Sequence, residues 1–331
     1  MRRTIVRLSL FIGLALFVLA VWRSGPRPML AAVGRLTMFQ WAVLAGLRLV
    51  YWILRTFNWK QVFDLYEDRQ PFHRLFEARI ADNAVGFITP SAMLGGLPVR
   101  ALLLPGLDRR RVFASAVLDK TIEIFTLAAA SVLAMLAAMI VLPMPGSARL
   151  IFGLFIVLAS ALCLGLLAGQ RRGFFLGIID RLARLGVRPR WVEKIRPSLR
   201  DVDDAIAGFH RDHRAAIPAV AALYTLSYFV WAFEIDVTLR FLGAPGLTLV
   251  KSLLVVSLGN VALLLPTVPA SLGVYEVTNV GVFAVLGWPA GLAIALSIIR
   301  RLLALAWTAA GLAVLGLRRR DLEDRRREKT G

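Results

Sequence analysis

Residues 124–142, IFTLAAASVLAMLAAMIVL, run for nineteen positions without a charge. A helix of that length rises close to the ~30 Å of a bilayer's hydrocarbon core. In lipid every backbone N–H and C=O has to be satisfied within the protein, so only helices and closed barrels can cross. The run is continuous and rich in Leu and Ala, whereas barrel strands alternate apolar and polar residues over about ten positions. Comparable runs fall at 5–22, 37–57, 112–142, 150–168, 216–242 and 290–316. With 58% hydrophobic residues, most of the chain must face lipid or other buried helices. The fold class that follows is an all-α polytopic membrane protein, with about six full spans. The opening MRRTIVRLSLFIGLALFVLAVW resembles a signal peptide, but no small-x-small cleavage site follows it. It is read as an uncleaved first span.

The net charge of +19 could point to nucleic acid, but its distribution points to the membrane. Lys and Arg gather in the loops and tails beside the spans, as the positive-inside rule requires. The loop 170–214 carries eleven of them and is expected to be cytoplasmic, as is the tail RRRDLEDRRREK. Working outward places the N-terminus, 58–75 and 108–111 inside too. Only Arg23, Arg27, Arg35, Arg149 and Lys251 then lie outside. The expected organisation is one integral membrane domain over 1–331, with an amphipathic cytoplasmic loop at 170–214 and a basic tail at 317–331. Within that loop Val192, Ile195, Leu199, Val202, Ile206 and Phe209 form one apolar face. Such a helix can lie on the inner membrane surface or pack against the ends of the spans.

Two apolar regions, 76–104 and 251–287, are interrupted in the middle, the first by Pro90, Gly95 and Gly96, the second by Pro266, Pro269 and Gly273. These residues are the expected hinges. With both ends of 76–104 on the inner side, its 29 residues suit two short half-helices that enter and leave from that side. The region 251–287 is either a re-entrant hairpin or two short spans. Asn83 precedes the first break and Asn260 the second. Arg100 follows one and Glu276 the other, and each region leads into a span that carries charges. One copy opening inward and one outward is the pattern of an inverted repeat, which transporters use to build a site near the midplane.

An ionisable group at mid-depth costs about 2.5–3.5 kcal/mol on insertion scales, so each needs a reason. Arg48, Arg300 and Arg301 are deep in their spans. Arg55 can snorkel to the headgroups. Asp119, Lys120 and Glu123 precede an apolar stretch long enough to cross alone, so they can sit at the interface, with Lys120 and Glu123 paired. Glu234, Asp236 and Arg240 read as a solvated cluster at an outer end. Arg100 could hold a phosphate or neutralise Asp119, and Glu276 could neutralise Arg300. No Walker A, G-x-S-x-G or H-E-x-x-H occurs, so neither a cofactor nor an enzymatic activity is expected. His210 and His213 lack further ligands for a metal, and Cys163 reads as a small hydrophobe in an apolar run.

NAVGFITPSAMLGGLPVRALLL, ASAVLDKTIEIF, LLPTVPASLGVYEV and ALSIIRRLLAL, in that order, resemble the lysylphosphatidylglycerol synthase transmembrane family. LRTFNWKQVF is similar to that family's aromatic-basic end of the second span. By position, Pro90, Gly95, Gly96 and Arg100 match the first motif, and Asp119 and Lys120 its acidic-basic pair. Pro269, Gly273 and Glu276 match the second motif, followed by Arg300 or Arg301. Leu97 and Pro98 depart where an acidic residue is common, Ala270 and Ser271 replace a glycine pair, and Tyr275 replaces an arginine. The resemblance implies a flippase-like protein moving aminoacylated phosphatidylglycerol, or a polyprenyl or hopanoid lipid, between leaflets. The aminoacyl-transfer domain of the family's longer members is not expected here.

The function expected is lipid translocation in a bacterial inner membrane, with both termini cytoplasmic. Arg48, Arg100, Lys120, Arg300 and Arg301 would meet an anionic headgroup, with Asp119 and Glu276 as exchangeable counter-ions. Expected partners are membrane lipids, with a lipid-modifying enzyme or a second copy of the chain as further candidates, and no nucleic acid. The alternative is a membrane subunit that anchors such an enzyme through 191–209 and the tail. An intramembrane enzyme using Asp119 and Glu123 is the weakest reading, because no nucleophile accompanies them.

Overall fold

The computed structural model describes residues 36–65, 69–89, 95–170, 174–184, 211–244, 249–264 and 273–328, with Gly34, Ser271 and scattered positions between 196 and 208. The expected first span at 5–22 lies outside these residues, as do Pro90, Pro266 and Pro269. Among the described residues every regular element is helical. In chain order these are α1 (Met38–Phe63), α2 (Phe72–Ile88), α3 (Leu97–Leu103), α4 (Arg109–Val141), α5 (Gly146–Gln170), α6 (Phe174–Arg184), α7 (Ile217–Phe241), α8 (Leu249–Leu264), α9 (Val274–Val285) and α10 (Ala290–Glu328).

The ends of the helices follow local chemistry. Thr37 starts α1 with a capping box: its hydroxyl accepts from the Gln40 N–H, and the Gln40 side chain accepts from the Thr37 N–H at 2.9 Å. The Asp108 carboxylate accepts from the Arg110 N–H and opens α4. Pro143 and Pro145 follow Val141 and prevent α4 from running into α5. Pro98 and Pro218 sit in the first turns of α3 and α7, where a missing N–H is harmless.

Arg109–Val141, Ile217–Phe241 and Ala290–Arg318 are long and apolar enough to cross a membrane. The outward faces carry what lipid would cover. Leu133, Ile140, Leu150, Leu154 and Leu158 on α4 and α5 are all exposed. The main core joins Tyr51 and Trp52 on α1 to Trp231 and Ile235 on α7, Val255 on α8, Phe283 on α9 and Leu296 on α10. The tail differs from a loose basic segment, because α10 continues through it as far as Glu328.

Each interrupted region holds two separate helices: α2 ends at Ile88 and α3 begins at Leu97, and α8 ends at Leu264 and α9 begins at Val274. Their packing is reciprocal. The half-helix α3 packs on α2 and on the following α4, and α9 packs on α8 and on the following α10. Across the molecule α2 packs against α10, α8 packs against α4, and α1 packs against α7. In the loop 170–214, Ile206 is buried against Val62, Leu97, Ala114 and Tyr224, so this part of its apolar face packs on the helix ends. Val192, Ile195, Val202 and Phe209 lie outside the described residues.

Candidate functional site

Two charged networks meet at one cavity of about 160 Å³. The first is built on α4. Asp119 is fully buried and accepts from three groups: the Arg79 and Arg100 guanidiniums, the latter at 2.8 Å, and the Tyr224 hydroxyl. Arg100 also donates through Nε to Asp82 at 2.6 Å. Its guanidinium lies 4.5 Å from the centre of the Trp59 ring, whose N–H donates to Ser115. One turn along α4, Glu123 pairs with Arg55 and with Lys120 at 3.0 Å, and lies 3.6 Å from Arg79. Four cations therefore face three carboxylates.

The close packing that positions this network depends on Gly96. A Cβ there would stand 1.9 Å from the Asp82 carbonyl oxygen, so only glycine lets the start of α3 rest on the α2 backbone. Arg100 is then held one turn into α3, within reach of both Asp82 and Asp119.

The second network spans α1, α7, α9 and α10. The Arg48 guanidinium donates to the fully buried Glu234 on α7. Glu276 on α9 accepts from Arg301, with Nε at 3.0 Å, and from the Gly273 N–H at 2.8 Å. Gly273 has φ 82°, a conformation that glycine adopts without strain. The N-terminus of α9 is thus occupied by its own carboxylate. Arg300 turns the other way, because successive helical residues point about 100° apart. Its guanidinium lies 4.5 Å from the Trp231 ring centre, and Arg48 stands 5.8 Å from the same ring. Arg300 is 8% exposed and makes no hydrogen bond or ion pair with any described residue. Here three cations face two carboxylates.

The family model described as the lysylphosphatidylglycerol synthase TM region matches residues 6–311 of this chain. The chain belongs to that family. As a family member it is also similar to a protein named UPF0104 membrane protein from Methanothermobacter thermautotrophicus. The two are 26% identical over 320 residues, covering 91% of this chain and 89% of the relative. No solved structure matches.

All seven residues expected to bind substrate belong to the two networks. Arg48, Arg100, Lys120, Arg300 and Arg301 line the cavity, and Asp119 and Glu276 stand behind it as ion partners. Several sequence expectations are corrected. Arg55 does not snorkel; it is paired with Glu123 beneath Tyr51. Glu234 is not solvated, since α7 turns it toward α1, and Asp236 is largely buried while its partner Arg240 reaches out. Asp119 and Glu123 are buried, with arginines and Lys120 as ion partners, and Lys120 pairs with Glu123 as expected. Glu276 neutralises Arg301, not Arg300. Arg79 and Asp82 were missed. Their spacing of three residues places both on one face of α2, which is the signal that could have marked them.

Proposed function

We propose that this chain is a flippase-like protein that moves a lipid with an anionic or aminoacylated headgroup between the leaflets of a bacterial inner membrane. The observation that carries the reading is the cavity shared by both charged networks, with Arg300 presented to it unpaired. A buried guanidinium without a carboxylate is costly unless a ligand supplies the counter-charge. Family membership supports a lipid-related role. The reciprocal packing of α2 on α10 and α8 on α4 supports an inverted repeat of two units, α1–α4 and α7–α10, each with a hairpin that does not cross. Both termini are assigned to the cytoplasm by the basic loop and tail. Pro90, Gly95, Gly96, Pro266, Pro269 and Gly273 are the proposed hinges. The chemistry is transport, without an enzymatic step.

In vesicles reconstituted with the full chain, labelled phosphatidylglycerol should exchange between leaflets faster than in protein-free vesicles. Arg48→Ala combined with Arg300→Ala should reduce that exchange to background while leaving insertion intact; wild-type rates in this variant would remove the residue assignment. A second reading, an anchor for a lipid-modifying enzyme, is favoured by the extension of α10 through Glu328, ten residues beyond its apolar part. An enzyme that co-purifies with the full chain and is lost on deletion of 319–331 would support it.

A further inference from the structure

The charge left over in the cavity specifies what the headgroup carries. The network on α4 has four cations against Asp82, Asp119 and Glu123, which leaves one positive charge. The network on α10 has Arg48, Arg300 and Arg301 against Glu234 and Glu276, which leaves another. Five carboxylates serve six of the seven cations, Arg55 and Lys120 sharing Glu123, and the surplus lies among groups that share this space. In a medium of low dielectric, an uncompensated pair of charges is expensive, and a bound ligand of matching charge removes the cost.

We infer that the cavity takes a doubly charged phosphate group, a phosphomonoester or diphosphate, in preference to a singly charged phosphodiester or a cationic aminoacyl lipid. The inference rests on the reading of this cavity as a headgroup site. The local geometry suits the assignment. Arg48 and Arg300 flank the ring of Trp231, and Arg48 Nε and Arg300 Nη1 are both buried without a hydrogen-bond partner. Both residues line the cavity, and two guanidiniums on one space are the arrangement that grips a phosphate through several oxygens. A lysylated phosphatidylglycerol, whose two ammonium groups outweigh its single phosphate, would instead add charge to a site already positive.

The test is lipid binding to the detergent-solubilised full chain at pH 8, above the second phosphate pKa of about 6. Phosphatidic acid, phosphatidylglycerol and lysyl-phosphatidylglycerol of matched acyl chains are titrated and bound lipid is counted by native mass spectrometry. Phosphatidic acid should bind at least about tenfold more tightly than either of the others, the worth of one added charge-assisted hydrogen bond. Arg300→Gln should shrink that preference to within about threefold, Arg300→Lys should keep it, and the exposed Arg240→Gln should leave it unchanged. Equal affinity for the three lipids in the wild-type chain overturns the inference without any variant, as does a preference that survives in Arg300→Gln. Glycerol phosphate and inorganic phosphate are added as competitors: displacement assigns the dianion site to a soluble phosphate, and its absence assigns the site to lipid. Leaflet exchange on the same lipids separates this inference from transport itself. Exchange of lysyl-phosphatidylglycerol equal to that of phosphatidic acid removes the dianion and keeps transport; selective binding without exchange keeps the dianion and removes transport.

Discussion

The two broken segments share an architecture and differ in sign. After the first break a guanidinium, Arg100, reaches from the half-helix to a carboxylate, Asp119, on the following long helix. After the second, the carboxylate of Glu276 sits on the half-helix and the guanidinium of Arg301 on the long helix. The first half is also more completely satisfied. Arg100 holds two carboxylates, and both oxygens of Asp119 are used. In the second half, Arg300 has none. An ion pair between half-helix and long helix therefore serves to dock the half-helix whichever partner carries which charge, while the one cation of the two networks without an ion pair among the described residues, Arg300, lies in the second half.

The largest effect is expected where one group serves two arginines. Asp119→Asn should cost about 3–5 kcal/mol, because two buried arginines lose the carboxylate they share, which leaves Arg100 with Asp82 alone and Arg79 with Glu123 at 3.6 Å. Thermal unfolding in detergent measures this, and a loss under about 1 kcal/mol would show that the pairing does not hold α3 in place. Next come the variants that give the second half the polarity of the first. Glu276→Arg and Arg301→Glu should each destabilise by about 2–4 kcal/mol. The double variant should recover about 1–3 kcal/mol of the sum, since the pair is rebuilt while the cap on Gly273 is lost. Additive losses would deny that the pair is interchangeable in sign.

The two glycines at the breaks fail for different reasons. Gly96→Ala forces a Cβ into the Asp82 carbonyl and should cost about 1–3 kcal/mol through displaced packing. Gly273→Ala should cost about 1–2 kcal/mol through its backbone angle alone. A double variant of Gly96→Ala with Asp82→Ala should not recover the first loss, because removing the side-chain oxygen at 2.3 Å leaves the closer clash with the backbone carbonyl at 1.9 Å. The smallest effect separates the halves most sharply. Arg300→Met should leave stability within about 1 kcal/mol of the wild type or raise it, because it removes a buried charge with no partner. Equal destabilisation by Arg300→Met and Arg100→Met would mean that Arg300 has a structural partner after all.

What could be read from the sequence was position along each helix axis. The apolar runs at 37–57, 112–142, 150–168, 216–242 and 290–316 locate the starts of five described helices to within a few residues, while α1 and α10 run on past the apolar part, to Phe63 and Glu328. The depth of Arg48 and Arg301 in their runs marks them as in need of partners. Direction around the axis was harder to read. Glu234 stands near the end of α7, so depth alone suggested water, yet its azimuth points at α1. Arg79 and Asp82 lie in a helix of mixed composition, where charged residues are buried beside Leu75, Ala78 and Ile80 and so mask its buried face. Arg300 and Arg301 were indistinguishable until a neighbour stood on each side. Pairing belongs to tertiary structure, and a single sequence states only that a pair is owed.

The contact between α2 and α10 sets an order of events during synthesis. Arg318 donates to Glu77 at 2.7 Å across 241 residues of chain. A chain made from its N-terminus completes α2 long before α10 has left the ribosome. Until then the face of α2 that α10 will cover has only lipid or transient neighbours. Contacts this distant in sequence close late and slowly, so α10 acts as the latch on α2.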